Sequence, residues 1–226
     1  MSRIAGIEAW LAVPGEWVES PNERRGGHSG VKLIRGEAGG LLYRKQQIGH
    51  VYRSLIKPLG YPTVMRERDA LAHCLQLGVL VPRVVFADCR RWEGTWQAVL
   101  VTEALEGFQS LEDCYRQQRE REWGAALHKA ILEEVGRMLG RLNLGRRQHG
   151  CLYLKHVFVQ LDGAGIRVAL IDLEKSRIRL TRRQAANHDL RQIARRSGWR
   201  GEQWNAFLEG YRQSFPGTLP KGLVTG

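Results

Sequence analysis

Several residues in this chain carry chemistry that a folded core does not require. Lys45 ends a strand-like run that follows a glycine-rich segment containing Gly26, Gly27 and Gly30. Backbone amides and an ammonium brought to one place are an arrangement that holds a polyphosphate, although a glycine cluster is also what a flexible turn uses. Glu67 falls inside the apolar stripe Val64, Leu71, Cys74, Leu75 of the helical segment PTVMRERDALAHCLQLG. An unpaired inward carboxylate is costly, so a cation must meet it, and Lys45 on the preceding strand is the nearest plausible one; the alternative places Glu67 at the stripe's edge, reaching water. Downstream, His149, Cys151 and His156 lie in HGCLYLKHVFV, and Asp172 closes the apolar run VALID with Glu174 two residues later. Histidine and aspartate are metal or phosphate-handling groups; the competing reading of Asp172 is a turn-forming cap on a strand.

The elements that must position these groups follow from local pattern. Val31 to Arg35 and Leu41 to Lys45 flank the turn GEAGG, and a hairpin there returns Lys45 to the Gly26 to Gly30 loop. The helix carrying Glu67 opens at Pro62 and Thr63 and closes at Gly78. Two β-rich runs around WEGT add a second hairpin, so the pattern predicts a small mixed or antiparallel sheet with one helix, entered through an amphipathic Ile4 to Val13. Ser110 and Asp113 have capping-box spacing, and a long helix from about Trp123 to Leu144 buries Leu127, Ile131, Val135, Leu139 and Leu142. Beyond His149, VFVQL and IRVALI flank DGAG, a hairpin whose open end brings His156 and Asp172 together. A final amphipathic helix packs Trp204, Phe207, Leu208 and Tyr211 inward.

Composition sets the outer bounds. The 226 residues suffice for one large domain or a two-lobed one, and 43% hydrophobic with 26% charged residues is an ordinary folded balance. A net charge of +12 favours polyanions, whether nucleic acid, anionic headgroups or a phosphorylated substrate. Cys74, Cys89, Cys114 and Cys151 lack the paired spacing of metal knuckles, and reduced thiols in a cytoplasmic compartment are the default. No apolar run approaches the roughly 20 residues that span a bilayer, so any membrane contact is peripheral. The segment Lys175 to Arg200 is rich in arginine, which suits either a solvated helix face or a clamp on an anionic acceptor.

Taken in order, RGGHSGV, YRKQQ, YPTVMRERDAL, GVLVPRVVFAD, LVTEAL, HGCLYLKHVFV and LIDLEKSR resemble the Kdo/WaaP-type lipopolysaccharide kinase family in its InaA-like branch, over about residues 22 to 212. The resemblance implies an α+β, protein-kinase-like two-lobed fold: an N-lobe at 1–103 and a mainly helical C-lobe at 104–226. It implies ATP and Mg²⁺, with an anionic sugar or glycolipid of the lipopolysaccharide inner core as acceptor, met at the cytoplasmic face of the inner membrane. Lys45 is similar to the lysine that grips the phosphates and Glu67 to the carboxylate that aligns it. Glu103 and Leu105 fall in the segment that receives adenine, and Asp172 matches the metal-holding aspartate. His149 matches the histidine that opens the catalytic loop, and Asp189 the buried aspartate that braces it.

Two positions depart from that pattern. The kinase loop pattern H-x-D-x-x-x-x-N would place aspartate at 151 and asparagine at 156, where this chain has Cys151 and His156. A neutral thiol is a poor proton acceptor beside a carboxylate, which slows transfer by about 10² to 10⁴ without abolishing it. Imidazole suits softer metals than Mg²⁺, so Glu174, if the chain stays extended past Asp172, is the candidate for the missing oxygen. The alternatives are a nucleotide-binding pseudokinase with a regulatory role, Cys151 as a small buried filler, and, from charge alone, a basic nucleic-acid-binding module without a recognition motif.

Overall fold

The computed structural model describes residues 6–24, 27–36, 39–53, 57–163 and 165–219. Its chain divides into two units, Met1–Ala72 with Pro82–Glu106, and His73–Val81 with Gly107–Gly226. The segment His73–Val81, which a single cut in the sequence leaves with the sheet, belongs with the helices.

The first unit opens with α1 (Ile7–Ala12) and β1 (Gly15–Arg24), β2 (Gly27–Arg35) and β3 (Leu41–Ile48). After the short pair β4 (Val51–Tyr52) and β5 (Tyr61–Pro62) comes α2 (Thr63–Gln76), then β6 (Val84–Trp92) and β7 (Thr95–Glu103). The five long strands run in the order β1-β2-β3-β7-β6, and every pairing is antiparallel, which selects the antiparallel of the two expected forms of the sheet. The pairs that are consecutive in sequence are hairpins, and the connection from β3 through α2 to β6 skips one place, so that β7 returns antiparallel between them. Trp10 and Ile7 of α1 bury against Ile34, Leu42, Val99 and Val101 on one face of the sheet. Arg44, 1% exposed, shares that face; its guanidinium donates to the carbonyls of Trp10, Leu11 (3.2 Å) and Val13 (2.7 Å), closing the C-terminal end of α1. Ile4, the proposed start of the amphipathic opening, lies outside the described residues.

Period-two alternation turns Lys45 and Gln47 to the other face of β3, toward α2. Gln47 is buried, and its Oε1 accepts from Thr63 Oγ1 (2.9 Å) and Val64 N (3.1 Å), capping the helix where its first amides have no partner. Val64, Met65, Ala70, Leu71 and Cys74 bury the helix. Leu75, placed in the stripe by spacing, is instead 48% exposed; the stripe at i, i+3, i+4 passes through Leu71 and Cys74, and Leu75 sits at its margin.

In the second unit, β8 (Gln109–Ser110) leads into α3 (Leu111–Arg116), whose N-cap Ser110 accepts from Asp113 N at 3.1 Å. α4 (Arg119–Leu144) starts four residues before Trp123 and carries a non-helical break at Gly124; Leu127 is only half-buried, while Ile131, Val135, Leu139 and Leu142 are core. β9 (Arg147–Gln148) pairs with β12 (Arg177–Ile178) around the hairpin of β10 (Val157–Asp162) and β11 (Gly165–Leu170). α5 (Arg182–Arg196) opens with a Thr181/Gln184 capping box, and α6 (Gly201–Ser214) crosses α4 at very short range. A Cβ on Gly210 would lie 1.8 Å from the Glu133 carbonyl oxygen, and one on Gly136 2.1 Å from that of Phe207. That contact requires glycine on both helices, despite its entropic cost of about 0.5–1 kcal/mol in each. Trp204, Phe207, Leu208 and Tyr211 all face inward.

Candidate functional site

Within the first unit, Lys45 Nζ lies 2.8 Å from Glu67 Oε2, with side-chain exposures of 18% and 11%. Gln47 fixes the start of α2, and Glu67 follows one turn later, so the cap and the ion pair are set by the same face of β3. A cation in such a partly desolvated place acts on an anion more strongly than in water.

The glycines stand differently from the expectation of a loop. Gly27 and Gly30 are buried residues of β2, with Gly30 opposite Gln46 and Val31 opposite Lys45. Added Cβ atoms would meet the Ile48 carbonyl oxygen at 2.6 Å and the Trp17 ring at 2.6 Å, respectively, so both glycines serve close packing in the sheet. Gly26 lies outside the described residues. Glu103 ends β7, and its carboxylate is held by the Arg83 guanidinium, with Nε at 2.9 Å. That partner holds the Glu103 carboxyl below its ordinary range. Leu105 is partly buried just beyond the strand.

Within the second unit, residues 148–156 are suspended from buried polar groups. Asp189, 0% exposed, accepts from His149 N (2.8 Å), Asn143 Nδ2 (2.9 Å) and, more loosely, Gly150 N (3.4 Å). One helical turn on, Gln192 accepts from Leu152 N (2.7 Å) and donates to the Gly150 carbonyl (3.2 Å). Asn143 in turn accepts from the Tyr211 hydroxyl at 3.0 Å, and burial pushes that phenol upward. Ser176 donates to the Gln148 carbonyl at 2.7 Å. Gly150 has φ 87°, and a Cβ there would lie 2.4 Å from the Lys175 carbonyl oxygen, so no other residue fits without distortion.

His149 is fully buried. Its Nε2 donates to the Ile171 carbonyl (3.0 Å), leaving Nδ1 to accept from Cys151 N (3.3 Å). Burial pulls its pKa down, against the opposing pull of Asp189. Both ring nitrogens therefore serve the backbone, and His149 holds the loop rather than facing a substrate.

His156, Cys151 and Asp172 come together: one ligand atom from each lies within 4.8 Å of the others. His156 Nε2 is 3.3 Å from Asp172 Oδ2, and its Nδ1 is 2.8 Å from the Cys151 carbonyl oxygen. Burial lowers the His156 pKa more than Asp172 raises it. Asp172 does not end the strand, since β11 stops at Leu170; it sits beyond, in a left-handed conformation with φ 58° and ψ 57°. Glu174 does not join the group. The chain winds into a single 3-10 turn over Leu173–Lys175 instead of staying extended, which removes the premise that placed Glu174 on the Asp172 side. Only Asp172 supplies an oxygen ligand here, so this donor set does not fit Mg²⁺, which demands oxygen.

The arginine-rich segment forms α5. A cavity of about 510 Å³ opens on it, lined by Arg179, Arg191, Arg195, His188 and Gln192 among others. No helix among the described residues is long and apolar enough to cross a membrane.

Four polar positions that shape these groups are not singled out by the sequence pattern: Gln47, Asn143, Ser176 and Gln192. A signal existed for two of them. Gln192 is at i+3 from Asp189, hence on the same face of α5, and Asn143 interrupts the apolar stripe of α4 at i+4 from Leu139.

Similarity to known proteins extends over most of the chain. A model of the lipopolysaccharide kinase (Kdo/WaaP) family matches residues 8–211. Protein InaA of Escherichia coli (strain K12) is 40% identical over 184 residues, 81% of this chain and 84% of that one. The 3-deoxy-D-manno-octulosonic acid kinase of Xylella fastidiosa (strain M23) is 25% identical over 201 residues, covering 85% and 76%. Among solved structures, WaaP in complex with acyl carrier protein superposes with a TM-score of 0.66 at 22% identity, covering 91% of this chain and 81% of that one.

Proposed function

The chain belongs to the lipopolysaccharide kinase (Kdo/WaaP) family, with a protein-kinase-like α+β fold, and from that premise we propose that it transfers the γ-phosphoryl group of ATP to a hydroxyl of a lipopolysaccharide inner-core sugar. The observation that carries this reading is the Lys45–Glu67 ion pair, 2.8 Å long and largely withdrawn from water. Lys45 neutralises phosphate oxygens, and Glu67 keeps the ammonium aimed. Glu103 and Leu105 lie in the segment assigned to adenine, and Gly26, Gly27 and Gly30 in the strap assigned to the phosphates. The acceptor oxygen attacks the γ-phosphorus, the bond to the β,γ-bridging oxygen breaks, ADP departs, and the hydroxyl proton leaves to solvent or to a weak base, since position 151 carries a thiol.

An acceptor that is itself anionic suits the arginines of α5 and the cavity they line. A core sugar attached to lipid is presented at the cytoplasmic face of the inner membrane, and a protein of net charge +12 approaches such a surface from the cytoplasm, each nearby Lys or Arg contributing about 1 kcal/mol. Cys151 supports a second reading, a nucleotide-binding pseudokinase with a regulatory role, because the loop then lacks its proton acceptor.

Transfer from γ-labelled ATP to isolated lipopolysaccharide core, with ATP binding measured in parallel, tests both. Under the kinase reading the native chain transfers slowly, Lys45→Met lowers transfer by about 10² to 10³, and Cys151→Asp raises it by about 10². ATP binding without any transfer by the native chain, with transfer restored by Cys151→Asp, decides for the pseudokinase. Absence of ATP binding by the native chain refutes both.

A further inference from the structure

We propose that Cys151, His156 and Asp172 form a binding site for a thiophilic divalent transition metal, with Zn²⁺ as the type, at the place where the family resemblance calls for Mg²⁺. The donor set comes first. A thiolate, an imidazole and a carboxylate are the ligand types of zinc, cobalt and ferrous sites, and three protein ligands leave the fourth position of a tetrahedral ion open to water or a phosphate oxygen. Their ligand atoms already lie within 4.8 Å of one another. Around one tetrahedral ion the donors stand roughly 3.3–3.8 Å apart, so small side-chain rotations close the set.

Hydrogen bonding orients the ring for this task. The carbonyl oxygen of Cys151 can only accept, so the His156 nitrogen 2.8 Å from it, Nδ1, carries the proton. A backbone carbonyl on the far nitrogen is the usual outer partner of a metal-bound histidine, fixing tautomer and ring angle. Nε2 then presents its lone pair to Asp172 Oδ2 at 3.3 Å. Two acceptors facing each other at that range are relieved by a positive charge between them, either a proton on Nε2 or the metal ion proposed here. Cys151 supplies the third donor to the same place, and its carbonyl holds the ring while its sulfur faces the ion.

The loop is held in this form independently of any ion. His149 takes the Cys151 amide on one nitrogen and the Ile171 carbonyl on the other, so a single buried ring ties the thiol-bearing residue to the residue preceding Asp172. His149 is thus a positioning residue for both sides of the site. Asp172 is in turn set in a left-handed conformation that few residues other than glycine, asparagine and aspartate adopt. Its side chain is 40% exposed, which leaves the ion a way in. On binding, the Cys151 thiol gives up its proton to solvent and the sulfur–metal bond forms, with no change of oxidation state.

Titration of the full chain with Co²⁺, in the absence of nucleotide, tests the site directly. Cobalt stands in for zinc and reports its ligands by colour. The native chain should bind one equivalent with a near-ultraviolet sulfur-to-cobalt band and visible bands of a four-coordinate ion, and Zn²⁺ should erase both while Mg²⁺ in large excess does not. Cys151→Ser should lose the near-ultraviolet band with its fold intact by circular dichroism, and His156→Gln and Asp172→Asn should each weaken binding by about tenfold or more. A native chain without the sulfur band, or a band that survives in Cys151→Ser, would overturn the proposal. Because no ATP is present, these outcomes are separate from success or failure of the kinase reading.

Discussion

Around Lys45 the reactive group and its support are nearly the same thing: one carboxylate meets the ammonium, and one glutamine two residues along pins the helix that carries that carboxylate. Around His149 the two are separated. A buried lattice of Asp189, Asn143, Gln192 and Ser176 grips the backbone of the loop, while the side chains that would act, Cys151 and Asp172, project from it with little support of their own. A site of the first kind tolerates little change in its reactive residues, because changing them dismantles the geometry. In a site of the second kind a reactive side chain can change while the loop that presents it keeps its buried backbone contacts. Cys151 stands in that position; His156 does not, since its buried ring also bonds the Cys151 carbonyl.

Asp189→Ala should produce the largest effect that this contrast predicts. It removes the acceptor for two backbone amides and the Asn143 amide in a fully buried place, and each unsatisfied donor there costs about 1–3 kcal/mol. We expect a loss of about 3–5 kcal/mol in urea unfolding. Lys45→Met should lose less, since its pair retains access to water. Equal losses in the two variants would break the distinction between the regions.

Gly150→Ala comes next. The substitution must hold a positive φ and place a methyl 2.4 Å from the backbone carbonyl of Lys175, which ends the 3-10 turn two residues before β12. Strain of about 1–2 kcal/mol and overpacking of about 1–3 kcal/mol predict a total of about 2–5 kcal/mol. Its neighbour provides the control: Cys151→Ser should change stability by no more than about 1 kcal/mol. A costly Cys151→Ser beside a silent Gly150→Ala would reverse the assignment of scaffold and cargo.

The same division explains what the amino-acid sequence discloses. Periodicity and capping locate α2, the two hairpins of the sheet, the Ser110 cap and the Asp162–Gly165 turn, because those signals are local. Glu67 betrays its partner because a carboxylate in an apolar stripe is an anomaly with few solutions. Long-range contacts of small or ordinary residues leave no such mark. Nothing local distinguishes Gly136 and Gly210, which permit α4 and α6 to touch, from glycines in turns, or Arg44, buried against carbonyls, from the many exposed arginines. Glu174 shows the opposite failure: a spacing rule for extended chain was applied where a left-handed Asp172 starts a turn.

Acid should distinguish the two units by a smaller effect. His73, His128, His149 and His156 are each pulled below their ordinary pKa chiefly by burial, and all four belong to the helical unit. His128 gives the clearest geometry. The Trp199 indole donates to the Tyr115 hydroxyl at 2.8 Å, and that hydroxyl lies 2.9 Å from His128 Nε2. Burial there favours the neutral ring. A histidine whose folded pKa lies below the unfolded value of 6.5 takes up its proton more readily when unfolded. Stability is then complete above that value and drains as pH falls through it toward the folded pKa, because the unfolded state binds more protons there. The urea midpoint should therefore fall between pH about 7.5 and about 5.5, with hydrogen exchange in α3 and α4 rising before exchange in β3 and β7. His128→Gln, which keeps an acceptor for Tyr115 and removes the titrating ring, should flatten part of that slope. An unchanged slope in this variant would show that His128 is not among the groups that set it.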